Sequence, residues 1–324
     1  MFVYLIRRLL YMIPILLGVM IFTFLLFNIV NKPEQMALNI LGPKASPQAI
    51  ENWLHNRGYD KPLFLNREPG KNLLDSQFFD SLRRMAVFDL GVSDATGEPV
   101  VNMLRRGILP SLLITLPAFA VGLTLALGLS LLLVFVRDSK IDLWGVILAV
   151  ATMSIPITVY VIFGQWVAAN LFNYFPAFGF DFEGFSTVRF IALPVVIMVI
   201  SGIGGDLRLY RTIFLEEVRA DYIRTAQAKG ASSARVLLVH VLKNGMISII
   251  TLVVASLPFL IMGTLVIENF FGIPGLGSMV VDAITTSDFS LIRANVYVGS
   301  LLFLFGLLLT DLCYALADPR IRLE

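Results

Sequence analysis

The sequence predicts an all-α polytopic membrane protein, with six transmembrane helices, both termini cytoplasmic and an extracytoplasmic insertion between helices 1 and 2. Three observations carry this expectation. Of 324 residues, 57% are hydrophobic and only 15% charged, against about 25% charged in soluble chains. Six apolar runs approach or exceed the ~20 residues needed to cross about 30 Å of hydrocarbon. Lys and Arg are distributed unevenly among the segments joining those runs, which sets an orientation.

The first run, Leu9–Val30, carries no charge and follows Arg7-Arg8. It is too long for a leader's apolar region and no small-x-small cleavage site follows it, so it reads as a span covering residues 1–30. Residues 31–107 form the insertion, with mixed charge, many Pro and Gly, and the aromatics Trp53, Tyr59, Phe64, Phe78 and Phe79. Ser46 and Pro47 open a short helix to Leu54, as N-cap and first helical residue. So long a loop without function is uncommon. It reads equally as a packed cap on the membrane domain and as a docking surface for an extracytoplasmic partner.

Residues 108–317 hold the other five spans. Ile108–Val136 and Leu143–Asn170 are uncharged. Phe190–Gly205 is short and reaches Tyr210 if Asp206 and Arg208 lie at the interface and snorkel. Asn244–Ile267 is uncharged, and Ala294–Thr310 extends to Ala317 if Asp311 sits at the membrane edge. Pro156 and Pro258 fall near the middle of the third and fifth runs, where each frees a carbonyl and can bend its helix. Residues 318–324 are a tail.

With the N-terminus inside, Arg7, Arg8, Arg137, Lys140, the basic residues from Arg208 to Lys243, Arg320 and Arg322 are all cytoplasmic. The two short outer loops, Leu171–Thr187 and Glu268–Ile292, contain no Lys or Arg. Residues 31–107 contain ten, but long translocated segments do not obey the rule.

Several function classes are disfavoured. One Cys, Cys313, and two distant His, His55 and His240, offer neither a disulfide framework nor a metal set. A net charge of +2 gives no support for nucleic acid as a partner. Asp206 and Asp311 read as interface anchors, and with Gln165 they are the polar groups nearest the spans. No chain of buried acids marks a proton-coupled carrier.

Residues 208–245 are the polar cytoplasmic segment. Tyr210 to Lys229 contains no Pro or Gly and reads as helix, ended by Gly230 in left-handed conformation. Ser232 or Ser233 then caps a second helix through about Asn244. Ala226 and Ala228 carry little bulk, so another protein's surface can approach the backbone. The plainer reading is a solvated connector whose charges fix topology. On the other side, Glu268 is followed by Phe270-Phe271 and the run Gly272-Ile-Pro-Gly-Leu-Gly277. Such backbone has to be buried in protein or line a water-filled cavity. The run lacks the Gly-Lys-Ser/Thr of a nucleotide loop and follows no strand.

Motifs in order along the chain resemble ABC importer permeases, specifically the B-type permease of the dipeptide/oligopeptide (and nickel) family. Tyr222-Ile-Arg-Thr-Ala-Gln-Ala-Lys-Gly230 resembles its EAA loop. Phe2–Pro14, Leu90-Gly-Val-Ser93, Pro99-Val100, Leu109-Pro-Ser-Leu112, Glu268–Gly277 and Asp318-Pro-Arg-Ile321 are similar to further family elements. Ser111 departs from a usual Thr, and Asp288-Phe-Ser from Asp-Tyr-Pro. The resemblance implies half of a translocation path for peptides, and no catalytic residue or metal in this chain. It implies a homologous second permease, two ATP-binding subunits that hold ATP and magnesium, an extracytoplasmic solute-binding protein, and residence in a prokaryotic cytoplasmic membrane. Tyr222, Arg224, Thr225, Ala226, Ala228, Lys229 and Gly230 would couple to the ATPase. Glu268, Phe271, Pro274, Gly275 and Gly277 would form a gate, with Glu268 offering a charge at the outer mouth and Gly275 holding a conformation closed to branched side chains. Alternatives are import of nickel or another small solute by the same machinery, an ATP-independent secondary transporter, and a structural membrane protein.

Overall fold

The computed structural model describes residues 2–30, 32–66, 72–168, 170, 175–176, 178–182 and 185–317. The proposed tail lies outside these residues, and so does part of the outer loop 171–187. Among the described residues every regular element is helical, with one isolated antiparallel bridge, Val92 to Pro99. Among the described residues five helices are long and apolar enough to cross a membrane: Ile6–Ile29, Val100–Phe135, Ser186–Val218, Ser233–Phe271 and Phe289–Cys313. A sixth span exists if the pair Lys140–Ser154 and Ile157–Val167, bent by 93°, counts as one.

The two prolines behave differently. Pro156 ends α6 (Lys140–Ser154) outright and caps α7 (Ile157–Val167). Its neighbour Ile155 is extended at ψ 122°, the conformation to which a following Pro ring drives a residue. Pro258 stays inside α11 (Leu242–Met262). Its ring lies directly against Gly306 of α14 (Phe289–Ala317), where a Cβ would overlap it.

The chain divides into two compact units, one of residues 1–107 with 279–304 and the other of 108–278 with 305–324. In the first, α1 (Phe2–Leu25) continues as π-helical turns to Val30. Helices α2 (Pro33–Leu41) and α3 (Pro47–Asn56) enclose a small core of Met36, Ala37 and Trp53. Ser46 caps α3 as expected, accepting from the Ala49 amide at 3.2 Å. Arg57 lies over the Trp53 ring at 4.3 Å and donates from Nε to Asp94 at 2.8 Å.

Asp94 and Asp288 are both buried. Asp94 also accepts from the Ser290 amide, while Asp288 accepts from Ser93 Oγ and the amides of Asp94 and Leu291. Every one of these bonds satisfies a carboxylate taken out of water, which is the condition for burying it at all. The insertion is therefore a packed cap closed by an acid network at the start of α14.

In the second unit, Ala126 of α5 (Val100–Phe135), Tyr210 and Phe214 of α8 (Phe185–Val218), Ile223 of the short helix that follows, Val236 and Val241 of the turns leading into α11, and Ile249 of α11 form a core. The Phe214 ring fills the space over Gly245, where a Cβ would come within 2.8 Å of it. Asp142 takes a bidentate bond from Arg211 at 2.9 and 2.7 Å, tying α6 to α8.

Candidate functional site

The turn between α8 and α11 is not the single helix expected from Tyr210 to Lys229. Helix α8 stops at Val218, Ala220 is extended at ψ 148°, and α9 (Asp221–Ala228) starts anew. The break lets Ile223, 1% exposed, enter the Phe214 cluster. Burying that side chain outweighs the helical propensity of the residues before it.

Helix α9 ends as expected. Gly230 has φ +82°, its amide donates to Gln227 O at 2.9 Å, and the Ala231 amide donates to Ala226 O at 3.2 Å. These paired bonds form the Schellman closure that favours Gly at this position. Ser232 caps the next helix by accepting from the Arg235 amide. That helix, α10 (Ser233–Arg235), passes through π-helical turns at Val236–Val241 straight into α11. It does not stop near Asn244, so the turn is joined rigidly to a span.

Tyr222, Arg224, Thr225, Ala228, Lys229 and Gly230 are exposed. Ala226 is half-buried and packs on the Phe214 cluster, so Ala228 is the small residue that α9 presents outward. Tyr222 donates its hydroxyl to Glu217. Partial desolvation, reinforced by that bond, raises the phenol above its ordinary range. The exposed pair Arg224–Asp221, at 3.6 Å, adds little stability.

At the other loop, α11 ends at Met262 and a break at Gly263, φ +71°, separates it from α12 (Leu265–Phe271). Glu268 is fully buried. Its carboxylate accepts from Ser111 Oγ at 2.8 Å and from the amides of Thr264 and Ser278, each at 3.0 Å. Ser111 Oγ in turn accepts from the Leu276 amide at 2.8 Å. The charge is thus turned inward, not offered at an outer mouth, because the loop's own donors need it.

The glycines follow from this carboxylate. A Cβ on Gly275 or on Gly263 would overlap Glu268, and one on Gly277 would come within 2.7 Å of the Thr264 backbone. Close approach to Glu268, not a positive φ, is what reserves position 275 for glycine. Gly272 is left-handed at φ +66° and closes α12, and Phe271 is buried beneath it. The Phe271 carbonyl accepts from the Gly179 amide at 2.8 Å, and that of Phe270 from Gln165 Nε2 at 2.9 Å. Leu265, Asn269, Phe270 and Pro274 are what the loop leaves exposed.

Of the gate residues expected from the sequence, Glu268, Phe271, Gly275 and Gly277 therefore frame the loop, and Pro274 lies on its surface. Ser111, Gly263, Thr264 and Gln165 belong to the same construction and carried no assigned role in the sequence reading. Only the position of Ser111 within Leu109-Pro-Ser-Leu112 hinted at one. Among the described residues no group of three or more His, Cys, Asp or Glu is placed to hold a metal ion.

Residues 118–323 match the family described as binding-protein-dependent transport system inner membrane component, and residues 1–113 match its N-terminal companion. The chain is 28% identical to the dipeptide transport system permease protein DppB of Alkalihalophilus pseudofirmus, over 99% of this chain and 100% of the relative. It is 30% identical to a putative peptide transport system permease protein of Brucella abortus and to the glutathione transport system permease protein GsiC of Pectobacterium atrosepticum, in each case over 98% of both chains. The apolar helices make it a multi-pass membrane protein, and it belongs to the inner-membrane permease components of binding-protein-dependent ABC importers, which work as subunits of a transporter complex and are not themselves the enzyme.

Proposed function

We propose that this permease forms half of a peptide-translocating path, with a homologous second permease forming the other half. Two ATPase subunits, holding ATP and magnesium, bind on the cytoplasmic side, and a solute-binding protein docks outside on the 31–107 cap. The observation that carries this reading is α9, a short exposed helix closed by Gly230 and anchored through Ile223 to the base of the spans. A rigid knob of this kind transmits a push from a partner into α8 and α11. The loop built on Glu268 serves as the gate, its shape held by buried residues and its surface by Phe270 and Pro274. Peptides are favoured over nickel by the names of the relatives.

The test is uptake of labelled dipeptides and oligopeptides by vesicles holding the purified complex with its binding protein. Uptake should require ATP and the binding protein together. Uptake that survives ATP depletion with an ion gradient intact would instead identify a secondary transporter.

The orientation has its own test. Cysteine at Asp89 should react with an impermeant reagent added to intact cells, and cysteine at Arg219 only after the membrane is opened. Labelling of position 219 from outside would overturn the orientation and with it the docking argument.

A further inference from the structure

The part of the cap that follows Tyr59 carries an ion-paired cluster and a set of exposed apolar side chains. Its two arms run back along each other: the Asn66 amide donates to Leu73 O at 3.1 Å, Ser76 Oγ donates to Phe64 O at 2.8 Å, and the Phe78 amide donates to Leu63 O at 3.1 Å. Lys61 Nζ binds Asp75 at 2.7 Å and Asp80 at 2.6 Å. Leu63, Phe64, Leu65, Leu73 and Leu74 of the same two arms are all exposed, Leu73 and Leu74 by 59% and 52%.

The Phe64 ring packs edge-on against Phe24 of α1 with centroids 5.8 Å apart, and Phe78 packs on the same ring at 5.2 Å. Phe24 lies inside the span Ile6–Ile29. At 1.5 Å per residue it is roughly 8 Å below the span's end. A contact at that depth places the exposed apolar side chains of the arms level with hydrocarbon, not with water. On the Phe24 face of the same helix Leu17 and Ile21 are exposed as well, by 42% and 41%, whereas Phe22, Leu26 and Ile29 project from the opposite face. So many clustered large apolar side chains rarely face solvent.

We propose that these paired arms, residues 61–66 and 72–78, are an interfacial membrane anchor, with the side chains of Leu63, Leu65, Leu73 and Leu74 in the acyl chains at the C-terminal end of α1, the outer leaflet in the orientation given above. The Lys61–Asp75–Asp80 cluster sits at headgroup level. Lipid is the occupant because the patch continues, through Phe64 on Phe24, the apolar surface of a spanning helix. The anchor fixes the cap's tilt on the membrane, so a docked partner meets it at a set height. The proposal is independent of which solute is carried.

The experiment uses the complete complex in lipid vesicles, in a Cys313→Ala background, with a nitroxide on cysteine placed singly at Leu65 and at Leu73. Phe22→Cys is the lipid reference and Asp89→Cys the water reference. Power saturation should give oxygen accessibility several-fold above that of a water-soluble nickel chelate at both positions 65 and 73, as at position 22. A pattern like that at position 89 would overturn the proposal in favour of a solvated loop. Low accessibility to both reagents would overturn it in favour of a covering protein, whether the second permease or the binding protein.

Discussion

Replacing Glu268 by Ala is expected to lower uptake at least tenfold while the complex still assembles. The carboxylate is fully buried and accepts from Ser111 Oγ and the amides of Thr264 and Ser278. Removing it strands these donors without water, at about 1–3 kcal/mol each. The loop between α11 and α13 (Leu276–Thr285) then loses the group that holds its shape, but the spans keep their packing. Gly275→Leu should act in the same direction, since its side chain would displace the same carboxylate. Ser111→Ala removes one donor and should cost less. The measurement is peptide uptake normalised to the amount of assembled complex. Normal uptake by Glu268→Ala and Gly275→Leu at normal expression would reduce the loop to a packing turn.

The spans were legible because hydropathy over twenty residues is a sum to which neighbours add little. The Ser46-Pro47 helix start and the Gly230 stop were legible for a related reason, since caps are local chemistry. Tertiary contacts decided the rest. Nothing local distinguishes Pro156, which breaks its helix, from Pro258, which does not; the difference includes the fit of the Pro258 ring against Gly306, 48 positions away. The break at Arg219–Ala220 contradicts local propensity and follows from the burial of Ile223. Glu268 was assigned an outward charge although it is buried, because its partner Ser111 stands 157 residues earlier and no local pattern joins them. The same distance hid the steric reason for Gly275.

Gly230→Leu and Ala228→Arg are each expected to uncouple ATP hydrolysis from transport. Gly230 has φ +82° with open space around its Cβ direction, so Leu meets no clash there. Its penalty is the left-handed backbone, about 1–2 kcal/mol, and the Schellman closure that aims the end of α9 loosens. Ala228→Arg leaves the fold of α9 intact, because the position is exposed and Ile223 holds the helix to the Phe214 cluster. It places a long charged side chain where an ATPase surface would approach the backbone, and misfit in a packed contact is costly. Ala226→Arg is the poorer variant, because Ala226 packs on that cluster and its loss would mix misfolding with uncoupling. Both chosen variants should insert normally, lose uptake, and either copurify less ATPase or hydrolyse ATP without stimulation by loaded binding protein. Wild-type stimulation in both would show that the α9 turn is not where the ATPase drives the permease.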